Sequence, residues 1–249
     1  MTELAIIGGT GFTSLQGLEI THREVVSTPY GEPSAPVVHG RFCDTDVVFM
    51  ARHGYGHTIP PHQVNYRANL WALRHVGVES VIAVAATGGI HQSMVPGGLA
   101  IPDQIIDYTW GRPHTFFEGE LDYVTHIDFT RPYSDSLRNQ LLVAAEHEGI
   151  PVAAGGVYAA TQGPRLETAA EIDRLERDGC ALVGMTGMPE TALAREIGLD
   201  YACCAVIANR AAGRGGDDIH ADIEQNLADG IGQARELIGA LLRHGNRSN

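Results

Sequence analysis

The sequence predicts a single α/β domain over residues 1–249, with a central mixed, largely parallel β-sheet flanked by helices. Three observations predict it. Apolar runs rich in β-branched residues recur along the chain, helical periods fall between several of them, and the first run ends in a glycine turn. Hydrophobic side chains make up 44% of the 249 residues and charged ones 19%, which is enough apolar surface for one sizeable core. No linker-like stretch divides the chain.

The first strand is expected at 4–7 and runs into Gly8-Gly9-Thr10-Gly11. A second, at 47–50, leads directly to Arg52 and His53. A helix follows over 63–74, where Val64, Ala68, Trp71 and Ala72 share one face. Further strands are expected at 81–86, 99–106, 152–158, 181–185 and 202–208. Helices are expected at 136–147, 168–178, 191–197 and 223–242, the last long and amphipathic. The segment "GRGGDD", 213–218, is expected to be an exposed loop, since its glycines cost order and its charges favour water. Ligands of such sheets lie beyond the carboxyl ends of strands.

Composition removes several function classes. A formal net charge of −13 argues against nucleic-acid or anionic-membrane partners, which need basic surface. No apolar run approaches the roughly 20 residues that span a bilayer. Met-Thr-Glu-Leu lacks the basic start of a secretory signal, so a cytoplasmic location is expected. Cys43, Cys180, Cys203 and Cys204 show no CxxC spacing and are expected to be free, mostly buried thiols. All 17 basic residues are arginine. A Walker-type lysine, a Tyr-x-x-x-Lys dehydrogenase pair and a Schiff-base lysine are thereby excluded.

The glycine turn on its own allows three readings. A dinucleotide turn of the form G-x-x-G-x-x-G is matched by Gly8 and Gly11, but its third place is Ser14, and the lysine partner of such enzymes is absent. A plain tight turn is the second reading. The third is a cradle for a single phosphate, formed by the Thr10 hydroxyl and nearby N–H groups, which needs a cation from elsewhere. Arg52 and His53 offer that cation at a strand end, although a lone arginine there could equally be a solvated charge. Metal binding by His53, His57, His62 and His75 is disfavoured, because glycines and prolines interrupt the first three and no carboxylate lies among them.

Taken together, "IIGGTGF", "ARHGYGHTIPPHQVNYRANLWAL", "AATGGI", "IPDQIIDYTWGR", "TQGPRLETAAEI", "VGMTGMPE" and "CCAVIAN" occur in order. Over essentially its full length the chain resembles the purine nucleoside phosphorylase and methylthioadenosine phosphorylase family, and several segments are most similar to the branch acting on methylthioinosine. The resemblance implies that Thr10, Arg52, His53, a backbone amide near Ala86 and the hydroxyl of Thr186 bind phosphate. It implies that Met185 lies against the ribose and that Leu166 packs on the base where relatives often have an aromatic ring. Ala85 stands where many relatives have Thr or Asn. Adenine-specific relatives carry two Asp residues after the "CCAVIAN" strand; this chain has Asn209 and Ala211, with Glu167 in place of a small hydroxyl residue.

Glu167 and Asn209 resemble the base-reading and catalytic pair of enzymes specific for 6-oxopurines. The physics agrees: a carboxylate accepts the N1–H of a lactam purine, and Asn can meet O6 and N7 together. Adenine would present an unprotonated N1 to that carboxylate, at a cost of about 1–3 kcal/mol. Without the family pattern, Glu167 would read as an N-cap or first-turn acid of the helix it opens. His220 falls where inosine-cleaving relatives meet the ribose 5′-hydroxyl, or is a solvated loop residue. The 5′ substituent, methylthio or hydroxyl, stays open. His126 resembles a residue lent to a neighbouring subunit's 5′ pocket, which implies a homotrimer. The implied reaction is phosphorolysis of a purine nucleoside, with inorganic phosphate as co-substrate and no metal or organic cofactor. A nucleosidase using water, or a silent nucleoside-binding protein, are the rivals.

Overall fold

The computed structural model describes residues 3–119, 123–216 and 218–245. The expected span 1–249 and the 213–218 loop therefore include residues outside that range, Asp217 among them. All strands join one sheet. Its centre is β5 (Val78–Gly89), flanked in parallel by β1 (Glu3–Gly8) and by β11 (Asp200–Arg210). β4 (Thr45–Ala51) lies parallel to β1 on the far side. Beyond it β3 (Val37–Phe42) and β2 (Glu19–Glu24) form an antiparallel edge. At the other end β5 meets β10 (Cys180–Gly184) antiparallel, and the order continues through β9 (Val157–Ala160) to β7 (Gln104–Asp107). β6 (Leu99–Ile101) pairs with β11 and with β8 (Val152–Ala154).

Alternation along β1 divides the core between the two faces. Ala5 and Ile7 face α1 (Tyr66–His75) and α4 (Gly187–Glu196), where Leu70, Leu73, Leu193 and Ala194 are buried. Leu4 and Ile6 face α2 (Asp135–Glu148) and α5 (Ile219–Gly245), against Leu141, Leu237 and Ile238. α3 (Ala169–Arg177) closes a smaller cluster with Ile172 and Leu175 over Val183. The helix starts follow from local chemistry. Asn65 accepts from Ala68 N, Ser134 from Leu137 N, and Thr168 forms a reciprocal capping box with Glu171.

The expected strands at 99–106 and 152–158 each divide in two. Pro102, which has no N–H to give a ladder, separates β6 from β7, and the chain then changes strand partner. Gly155 and Gly156, at φ 94° and 112°, separate β8 from β9. β2 escaped the sequence reading because "EITHRE" is exposed almost throughout and carries no apolar alternation. Cys180, Cys203 and Cys204 are buried free thiols, and Cys43 is free and half-buried. Among the described residues no helix is long and apolar enough to cross a membrane.

Candidate active site

The carboxyl ends of β1, β4, β5, β10 and β11 converge on one cavity of about 400 Å³. The turn after β1 closes with Phe12 N donating to Gly9 O at 3.0 Å. A Cβ on Gly9 would stand 2.8 Å from Nη1 of Arg52 and 2.8 Å from Val84 O, so glycine here admits the guanidinium under the turn.

Arg52 follows β4, and its backbone N–H donates to Gly8 O at 2.9 Å. Its side chain is 1% exposed. Nε donates to Oε2 of Glu190 at 2.7 Å and Nη2 to Oε1 at 2.8 Å, a bidentate fork. Nη1 donates to Val84 O at 3.0 Å, and the Tyr201 hydroxyl donates to the same Glu190 Oε1 at 2.7 Å. Burial opposes the charge on Arg52, but the Glu190 carboxylate outweighs it and holds the guanidinium well above its ordinary range. Beyond these bonds, one N–H on Nη1 and one on Nη2 can still donate.

His53 Nδ1 lies 2.8 Å from Ile59 O. A carbonyl only accepts, so Nδ1 carries the ring proton and Nε2 keeps a lone pair. Burial first, and the Arg52 charge second, bring the His53 pKa down to about 4. The ring is neutral at pH 7. Because the folded value lies below the ordinary 6.5, the unfolded chain binds the extra proton between these limits. The contribution to stability is therefore whole above pH 6.5 and is lost as pH falls towards 4. Thermal unfolding followed from pH 7.5 to 4.5 is expected to show that loss, and His53→Gln is expected to flatten it.

Thr10 and Thr186 reach the same cavity. Oγ1 of Thr10 lies 3.4 Å from Nε2 of His57, whose ring sits 4.7 Å from that of His53. Thr186 precedes α4 but makes no side-chain capping bond. Met188, at φ −117° and ψ 139°, interrupts the helix, so regular turns begin close to the expected start at 191.

Ala86, Met185, Leu166, Glu167 and Asn209 line the rest of the cavity, with Ala85 and Ala211. The cap of α3 is Thr168, not Glu167. Glu167 Oε1 instead accepts from Thr161 Oγ1 at 2.7 Å, half-buried on the cavity wall. Asn209 Nδ2 donates to Arg210 O at 2.6 Å, at a register shift where β11 slips against β5. Such a bulge re-aims a side chain.

Nine of the eleven site residues expected from the sequence thus share one cavity: Thr10, Arg52, His53, Ala86, Leu166, Glu167, Met185, Thr186 and Asn209. His220 and His126 do not line it. Both are exposed, and His126 lies on an irregular stretch before α2. In place of His220 its neighbours Ile219 and Ile223, one turn apart on α5, reach the cavity. The sequence reading missed them, because both look like core positions of an amphipathic helix. It missed Glu190 and Tyr201 as well. An acid in a helix reads as solvated, and only the fold brings it to Arg52. Arg112 is a further omission. Buried, it donates to Met185 O at 2.8 Å, Met188 O at 2.6 Å and Gln162 O at 2.8 Å, tying the loop of Met185 and Thr186 to the loop before Leu166.

This sheet order, with one cavity at the carboxyl ends of its central strands, defines a nucleoside phosphorylase fold. Comparison with known proteins agrees. Residues 3–243 match the Phosphorylase superfamily, and the chain belongs to that family. A probable S-methyl-5′-thioinosine phosphorylase of Pseudomonas syringae pv. tomato is 54% identical over 243 residues, 97% of this chain and 99% of that one. The 6-oxopurine nucleoside phosphorylase of Pyrococcus furiosus is 46% identical over 229 residues, 90% of this chain and 85% of its own. Among solved structures, methylthioadenosine phosphorylase from Schistosoma mansoni in complex with tubercidin superposes with a TM-score of 0.90 at 31% identity, covering 99% of this chain and 93% of that one.

Proposed function

We propose that this enzyme is a pentosyltransferase of purine salvage. It cleaves S-methyl-5′-thioinosine with inorganic phosphate to give hypoxanthine and 5-methylthioribose 1-phosphate. The observation that carries the proposal is the joint placement of Glu167 and Asn209 with Arg52, His53, Thr10 and Thr186 around one cavity. The names of the relatives at 54% and 46% identity point the same way.

Phosphate enters already anionic, so no base is needed to activate it. The two remaining N–H groups of Arg52 and the hydroxyls of Thr10 and Thr186 take its charged oxygens. Neutral His53 offers a lone pair at Nε2 and so meets an oxygen that still bears a proton. The cradle thereby holds the nucleophile in line with the anomeric carbon, and the gain is orientation plus fixed dipoles. The sugar passes through an oxocarbenium-like state while the base departs with negative charge. Asn209, with one N–H beyond its bond to Arg210 O, donates towards N7, and Glu167 accepts from N1–H. The chemistry calls for no metal and no organic cofactor.

At the 5′ end, Ile219 and Ile223 present aliphatic surface, which suits a thioether and leaves a hydroxyl without a partner. Ile219→Asn is expected to lower the preference for methylthioinosine over inosine by roughly tenfold, measured as a ratio of kcat/KM. An assembly in which a neighbour's His126 approaches this end, a homotrimer, and a cytoplasmic location belong to the same proposal. The test compares methylthioinosine, inosine, guanosine and methylthioadenosine at fixed phosphate. Methylthioinosine is expected to lead; preference for methylthioadenosine would overturn the roles given to Glu167 and Asn209.

A further inference from the structure

The β2–β3 edge carries a second group of convergent donors, none of which lines the cavity. Register places Ala5, Val48, His39 and His22 in one row across β1, β4, β3 and β2. Ala5 and Val48 lie in the core under α1. At the sheet's margin the row turns polar: His39 is half-buried and His22 exposed. Glu24 lies two residues beyond His22, so the strand's alternation returns its side chain to the same face.

The three side chains converge. The His22 and His39 rings stack in parallel, with centroids 4.1 Å apart and planes 7° apart. Nε2 of His39 is 3.4 Å from Oε2 of Glu24, and the donor atoms of all three lie within 4.8 Å of one another. Thr21 supports the group from below. Its hydroxyl donates to His39 O at 3.1 Å and lies 3.3 Å from Nδ1 of His22, placed to accept that nitrogen's proton and so leave Nε2 bare.

A guarded sheet edge needs charge, but it does not need donors that meet at a point. We infer that His22, Glu24 and His39 form a site for a first-row divalent metal ion, zinc foremost. Two imidazoles and one carboxylate are a zinc donor set. Zinc bonds of about 2.0–2.1 Å to tetrahedral ligands put neighbouring donor atoms about 3.3 Å apart, the separation already present between His39 and Glu24. Small rotations of the exposed His22 bring in the third donor, and water completes the shell. The ion would pin edge strand β2 to β3 and raise stability by mass action. The sequence reading did not find the site, because two of its ligands, His22 and Glu24, lie on β2, a strand the apolar pattern does not reveal.

The test titrates zinc chloride into the full-length, untagged protein by calorimetry, and cobalt(II) by its visible absorption. One equivalent is expected, with the intense cobalt spectrum of a four-coordinate ion. His22→Asn and Glu24→Gln, both outside the core, are each expected to weaken binding by about tenfold or more. Retained phosphorolysis by both variants shows that they fold. Absence of saturable binding, a weak octahedral cobalt spectrum, or binding that neither substitution alters would overturn the site.

Discussion

Glu190→Gln is expected to destabilise the empty protein by about 3–5 kcal/mol, because it leaves the buried Arg52 charge without its counter-ion. Both oxygens of Glu190 hold the guanidinium, and Tyr201 fixes one of them. Glutamine can accept at only one atom, and its amide would face a donor. For a chain of this size the loss corresponds to a fall in Tm of roughly 6–20 °C. Phosphate should return part of it, since an anion binding only the folded state stabilises by about 2.7 kcal/mol at a hundredfold excess over its Kd. Kinetics separate positioning from mere loosening. With the fork free to swing, kcat/KM for phosphate is expected to fall by about 10²–10³-fold, and KM for nucleoside by much less. Tyr201→Phe removes a single bond to Glu190 and should show the same pattern at about 1 kcal/mol. Equal changes in both KM values would mean that Glu190 holds the fold and not the phosphate ligand.

The second large effect concerns the base. Asn209→Asp exchanges an amide for a carboxylate facing O6 and N7 of a lactam purine. It is expected to lower kcat/KM for inosine-type substrates by roughly 10- to 100-fold, the cost of a lost donor and an uncompensated acceptor in a buried wall. An exocyclic amine at position 6 suits a carboxylate, so activity on methylthioadenosine should rise relative to methylthioinosine. It should not become dominant, because Glu167 still opposes the unprotonated N1 of adenine. Adding Glu167→Ser is expected to complete the reversal. Unchanged ratios in the single variant would show that Asn209 does not read the base.

These residues also show where sequence reasoning reaches and where it stops. The parallel centre was legible because β1, β4, β5 and β11 are buried on both faces and read as continuous apolar runs. Arg52 and Thr10 were legible because they directly follow such strands, and Glu167 and Asn209 because they fall in quoted family segments. Glu190, Tyr201 and Arg112 were not. Glu190 and Arg112 act through partners far along the chain, 138 residues away in the case of Arg52 and Glu190, and Tyr201 acts through Glu190. Local pattern cannot distinguish such an acid from a solvated one. His220 and Ile219 differ by one position, and only the phase of α5 decides which reaches the cavity.

The central claim is that an inorganic anion beside Arg52 attacks the sugar. Hypoxanthine release from methylthioinosine, followed with phosphate present and after its rigorous removal, tests it most directly. Release should require phosphate and yield one 5-methylthioribose 1-phosphate per hypoxanthine. Turnover without phosphate, yielding the free sugar, would contradict it.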